Sequence, residues 1–90
     1  MQIDKYTISF KSTASKEISR LPKPVVKRVV KAIDNLAQNP RPDGVKKIKG
    51  SDENLYRIRV GDYRILYIID DVIRVVNVNK VGHRKEIYRL

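Results

Sequence analysis

The sequence has no cysteine and no tryptophan, and it has one phenylalanine and one histidine. Without thiols there are no disulfides and no thiolate metal ligands, and a reducing compartment is the natural setting. Acidic residues are few beside the basic ones, 10 Asp and Glu against 20 Lys and Arg, for a net charge of +10. They are scattered along the chain, so neither a carboxylate pair nor a metal-ligating cluster stands out. No apolar run is long enough to cross a bilayer, and the opening MQIDKYTISF lacks the basic start and apolar stretch of a secretory signal. No glycine-rich phosphate loop or nucleophile elbow occurs. These absences lead us to expect a cytoplasmic protein that needs no metal and no cofactor.

Ninety residues suffice for one hydrophobic core, so residues 1–90 are expected to form one domain. The excess charge is split evenly, +5 in residues 1–44 and +5 in residues 45–90, which leaves no detachable basic tail. A folded domain so charged concentrates polyanions around itself, and nucleic acid is the first candidate partner. Membrane binding would call for a basic amphipathic helix rich in bulky aromatics. The only Phe, Phe10, falls in a strand pattern, so no membrane partner is expected. An acidic protein partner fits the charge equally well.

Along the chain, Tyr6, Ile8 and Phe10 alternate with polar residues as in a strand with one buried face. Ser12 or Thr13 can cap a helix that carries Ala14, Ile18 and Leu21 on one stripe. Pro22 and Pro24 interrupt it, and a second helix is expected from Pro24 to Gln38, with Val26, Val29, Val30, Ile33, Leu36 and Ala37 at helical spacing. The short connection makes the two helices an antiparallel pair. NPRPDG at 39–44 ends the second helix. Strands follow at Val45 to Lys49, Leu55 to Val60, Tyr63 to Ile69 and, after an Asp70-Asp71 turn, Val72 to Lys80; residues 85–90 show no clear pattern. The expected fold is α+β: an N-terminal strand and a two-helix antiparallel hairpin packed on a curved antiparallel sheet.

The segment LYRIRVGDYRILY, residues 55–67, fixes a local geometry. Gly61-Asp62 suits a two-residue type II′ turn, which sets Val60 opposite Tyr63, Arg59 opposite Arg64, Ile58 opposite Ile65 and Arg57 opposite Leu66. One face then carries Tyr56, Ile58, Val60, Tyr63, Ile65 and Tyr67, all read as core. The other carries Arg57, Arg59 and Arg64. Opposed cations destabilise a sheet, so three arginines on one face of one hairpin suggest an anion site more than a merely solvated surface. If Asp70-Asp71 is also a two-residue turn, Ile69 faces Val72 and Arg64 faces Asn77, extending a polar row Arg59–Arg64–Asn77 over three strands.

The order strand, two helices, curved sheet, together with KIKG at 47–50, LYRIRVGDYRILY and VGHRKEIYR at 81–89, resembles the RelE/ParE superfamily of toxins, most specifically in its second half. The RelE branch, as that resemblance implies, consists of ribosome-dependent endoribonucleases that cut messenger RNA without a metal. They are held inactive by an antitoxin and reach operator DNA only through the antitoxin complex. The resemblance assigns catalytic positions to Arg57, Arg59, Arg64, Arg84 and Tyr88. The branch more often carries lysines at the first two, one of them the general base, and arginine is too strong a cation for that role.

Arginines suit the charge-neutralising part of RNA cleavage, because the planar fork binds phosphate oxygens bidentately. His83, the only side chain with an ordinary pKa near neutrality, stands beside Arg84 as a possible base or acid, or as a ring exposed at a strand end. Tyr88 can stack on a base, orient the 2′-hydroxyl or close the core. Lys47 and Lys49 are read as RNA contacts. Lys23, Lys27 and Lys31, at i, i+4, i+8 on the second helix, are a solvated stripe that can also grip RNA. The leading expectation is an mRNA-cleaving toxin with a cognate antitoxin, the ribosome and mRNA as partners. The alternatives are a ParE-like toxin that inhibits DNA gyrase by binding, and a regulatory nucleic-acid binder.

Overall fold

The computed structural model describes residues 5–50 and 54–87. Five strands, β1 (Thr7–Phe10), β2 (Lys46–Lys47), β3 (Leu55–Val60), β4 (Tyr63–Asp70) and β5 (Val75–His83), form one sheet in the order β1-β5-β4-β3-β2. Helices α1 (Ser12–Ser19) and α2 (Lys23–Leu36) pack on it. The fold is α+β as expected, with one difference: β1 runs parallel to β5, so the sheet is mixed rather than antiparallel throughout. The intervening helices carry the chain across the layer, which a parallel pairing requires.

Apolar periodicity selects the buried faces. Val29, Ile33 and Leu36 of α2 and Ala14 of α1 meet Ile58, Ile65, Tyr67, Ile69, Val76, Val78 and Val81 of the sheet in one core. Tyr67 is wholly buried and donates its hydroxyl proton to the Pro40 carbonyl at 2.7 Å, and its ring stacks with that of Tyr56. Burial pushes the Tyr67 phenol well above its ordinary pKa. Tyr63 departs from the core reading: it lies half-buried beyond the end of this cluster, against His83.

The boundaries shift for local reasons. Lys11, not Ser12 or Thr13, occupies the N-cap of α1, because its N–H bonds the Val78 carbonyl as the chain leaves β1. Helix α2 starts at Lys23 and ends at Leu36, and β2 is two residues long rather than five.

The expected β4–β5 turn is incorrect. Residues 71–74 form a four-residue loop, and β5 begins at Val75, so Val72 and Ile73 are exposed loop residues rather than strand. The Asp70 carboxylate accepts the N–H groups of Val72 and Ile73, and Arg74 adopts φ +56° to close the loop. Asp71 is pinned from outside, by both Nη atoms of Arg41 and by the Tyr6 hydroxyl. In the resulting register Ile69 pairs with Val76, and a bulge at Leu66/Tyr67 leaves Asn79 as the extra residue. Arg64 therefore faces Gly82, not Asn77, and the row Arg59–Arg64–Asn77 does not exist. Asn77 lies opposite Ile68 and donates to Ser9 Oγ at 2.7 Å.

Candidate functional site

The β3–β4 hairpin has the register read from its turn: Val60–Tyr63, Arg59–Arg64, Ile58–Ile65 and Arg57–Leu66. Gly61 adopts φ +59°, as the first position of a type II′ turn demands. The strand alternation puts Tyr56, Ile58 and Ile65 under the helices and leaves Arg57, Arg59 and Arg64 on the open side. Arg59 is exposed and has no carboxylate partner among the described residues, while Arg57 and Arg64 are half-buried.

The turn organises two further groups. Arg64 Nη1 donates to the carbonyls of Gly61 and Tyr63 at 3.1 and 3.0 Å, which aims its guanidinium at the hairpin tip. The N–H of Arg84 donates to the Asp62 carbonyl at 2.8 Å, and Arg84 Nε lies 3.5 Å from the Asp62 carboxylate. Both arginines thus gather on one two-residue turn, with Asp62 as counter-charge. Gly82, two residues before Arg84, has Ile87 Cδ1 3.3 Å from the place a Cβ would take, so a side chain there would crowd Ile87.

Other candidate residues do not join this group. His83 pairs with Tyr63, which sets its ring on the helix side of the sheet, away from Arg64. Lys47 faces Tyr56 across β2–β3 and Lys49 lies beyond β2; both are exposed. Lys46 is the residue opposite Arg57, on the arginine face. Lys23, Lys27 and Lys31 are exposed on α2, behind the sheet. Tyr88 lies outside the described residues.

Three basic residues were missed by sequence reasoning, and one of them, Lys80, pairs with Leu66 on the arginine face. Lys46 was passed over because a two-residue strand carries too little pattern to fix its register. Arg28 of α2 lies over the hairpin turn, its Nη2 2.6 Å from where a Gly61 Cβ would stand. Its only signal in the sequence was the glycine itself.

The perturbed carboxyl group lies elsewhere. Hydrogen bonds from Arg41 and Tyr6 hold the Asp71 carboxyl down at about 2, and the same hydrogen bond raises the Tyr6 phenol. Arg41 also donates Nε to the Tyr56 hydroxyl and lies over that ring. This network ties loop 40–44 to the β4–β5 loop, at the other end of the sheet from Gly61. Among the described residues no cluster of three or more His, Asp or Glu is placed to hold a metal ion, and no helix is long and apolar enough to cross a membrane.

Residues 8–88 match the family described as ParE toxin of type II toxin–antitoxin system, parDE. The toxin RelG of Mycobacterium tuberculosis is 35% identical over 85 residues, covering 93% of this chain and 97% of RelG. Among solved structures, the archaeal RelE–RelB complex from Pyrococcus horikoshii aligns with a TM-score of 0.80 at 29% identity, covering 91% of this chain and 98% of the other. The toxin–antitoxin complex RelBE2 of Mycobacterium tuberculosis aligns at 0.77 with 32% identity, covering 89% and 99%. Sequence and fold agree over nearly the whole length: the chain belongs to the RelE/ParE superfamily of toxins of type II toxin–antitoxin systems.

Proposed function

We infer that this protein, acting as one cytoplasmic domain, is a RelE-type endoribonuclease that cleaves messenger RNA on the ribosome and thereby stops translation. The observation that carries the reading is the opposed pair Arg59–Arg64, with Arg57 beside it and Arg84 drawn to the same turn. A sheet does not gain stability from opposed cations, but a phosphodiester gains from guanidinium forks on a rigid hairpin. In the cleavage step the 2′-oxygen attacks phosphorus and the 5′-oxygen leaves. Arg57, Arg59 and Arg64 would neutralise the charge that builds on the phosphorane oxygens, with Arg84 beside them or beside the leaving oxygen. None of these groups can take the first proton, since arginine stays charged. Tyr88 is proposed to orient the 2′-hydroxyl or stack on a base, and Lys47, Lys49 and the α2 lysines to hold RNA.

The two structural relatives described above are toxin–antitoxin complexes, which supports a cognate antitoxin as partner, with acidic residues to meet the basic surface. The test is to map transcript ends on translating ribosomes after a brief pulse of expression. Ends should collect within codons, and Arg64→Ala and Arg84→Ala should abolish them with the fold intact. Because the matching family is described by ParE, gyrase inhibition is the second reading. It is favoured if supercoiling fails while translation continues.

A further inference from the structure

A cleft of about 310 Å³ opens between the end of α1 and the end of β5, outside the arginine face. Its lining includes Glu17, Arg20, Leu21, Tyr63, His83 and Glu86. The rings of Tyr63 and His83 meet edge to face, 5.4 Å between centroids and 78° between planes, and make one corner of its wall. Both polar walls are fixed in place. His83 Nδ1 accepts the Lys85 N–H at 3.1 Å, which puts the proton of the neutral ring on Nε2. Glu17 Oε1 accepts the Val81 N–H at 2.9 Å and keeps acceptor capacity to spare.

Flat ring surfaces, an apolar floor, an anchored carboxylate that accepts N–H groups and a nearby guanidinium are what an unpaired nucleobase and its phosphate need. The size is at the lower end of small-ligand sites, roughly 300–1,000 Å³. The cleft also adjoins the arginine face. Tyr63–His83 and Arg64–Gly82 are neighbouring pairs at one end of β4 and β5, so a strand rounding that end passes from the arginines to the cleft.

We propose that this cleft takes one unpaired base of the RNA strand whose phosphates lie on the arginine face, and that His83 is a wall of that pocket, not a proton-transfer group. The ligand class rests on the ribonuclease reading; the geometry of the cleft does not. The test uses the whole protein without ribosomes and single-stranded RNA carrying one 2-aminopurine, whose fluorescence falls on stacking. At one position the signal should be quenched on binding. His83→Phe should keep that quenching, and His83→Ala should lose most of it while still binding the strand. Arg20→Glu, an exposed position chosen to preserve the fold, should weaken it as well.

Quenching that is absent, or equal in His83→Ala and the parent, overturns the proposal. So does a loss of quenching in His83→Phe as deep as in His83→Ala. If Arg20→Glu releases an antitoxin peptide and leaves RNA stacking unchanged, the cleft belongs to the protein partner and the proposal fails. Failure of the ribonuclease reading looks different, since Arg64→Ala and Arg84→Ala would then cleave like the parent whatever the fluorescence shows.

Discussion

Replacing Arg59 with glutamine should make the protein more stable and a poorer RNA binder at the same time. Arg59 and Arg64 face each other across β3 and β4, and Arg59 is exposed with no carboxylate partner among the described residues. Cross-strand pairs contribute roughly 0.2–1 kcal/mol, with like charges on the unfavourable side. Exposure and the bend of Arg64 toward Gly61 place this pair near the middle, about 0.5 kcal/mol. For a chain of this size 1 kcal/mol moves Tm by about 4–8 °C, so Arg59→Gln should melt roughly 2–4 °C higher at low salt. In about 1 M salt the screening length falls to about 3 Å and the advantage should largely vanish. A single-stranded RNA should lose one phosphate contact, lowering the slope of log K against log salt by about 0.7. Thermal melts across salt concentrations and a binding titration test both halves. No gain in Tm, a gain that survives high salt, or an unchanged slope would refute the argument that this pair is held together for an anion.

Tyr67→Phe should cost about 1 kcal/mol, roughly 4–8 °C in Tm, because the Pro40 carbonyl loses its hydroxyl donor at a buried ring; an unchanged melt would deny that bond a role. Asp71 binds its proton less readily when folded than when unfolded, so its contribution is present above about pH 4 and is lost as pH falls toward about 2. Acid titration of Asp71→Asn should therefore be flatter than the parent's in that window, and parallel curves would show that Arg41 and Tyr6 do not hold the carboxylate in solution. Gly61→Ala should destabilise by about 1–2 kcal/mol because φ +59° disfavours a Cβ. Adding Arg28→Ala should recover little of that loss by denaturant melting, since the Arg28 end can swing away while the backbone cannot.

The β3–β4 hairpin was legible because Gly61-Asp62 leaves only one two-residue turn between alternating strands. Asp70-Asp71 was not, because the bonds that Asp70 accepts from Val72 and Ile73 are joined by remote ones: Arg41 and Tyr6 reach in from other elements to hold Asp71. The error moved the partner of Ile69 from Val72 to Val76, a slip of four residues. A slip of four keeps side chains on their own faces, with Val76 and Val78 in the core, but past the bulge at Leu66/Tyr67 the slip is five, so Val81 turns into the core and Arg64 meets Gly82 instead of Asn77. His83 and Arg84 show the complementary case, in which neighbours in sequence part company in space. His83 faces Tyr63 under the sheet, and Arg84 turns back to Asp62.

The same alternation explains how a cluster of like charges persists in a small domain. Ile58 and Ile65 are buried on the underside of the residues that present Arg57, Arg59 and Arg64, and each buried side chain contributes roughly 1.5–3 kcal/mol. The repulsion between opposed arginines is at most about 1 kcal/mol. A slip of one residue would relieve that repulsion only by turning Ile58 out to water and the arginines into the core. The core therefore fixes the arginine face, and the charge cluster stays in place whether or not an anion is bound.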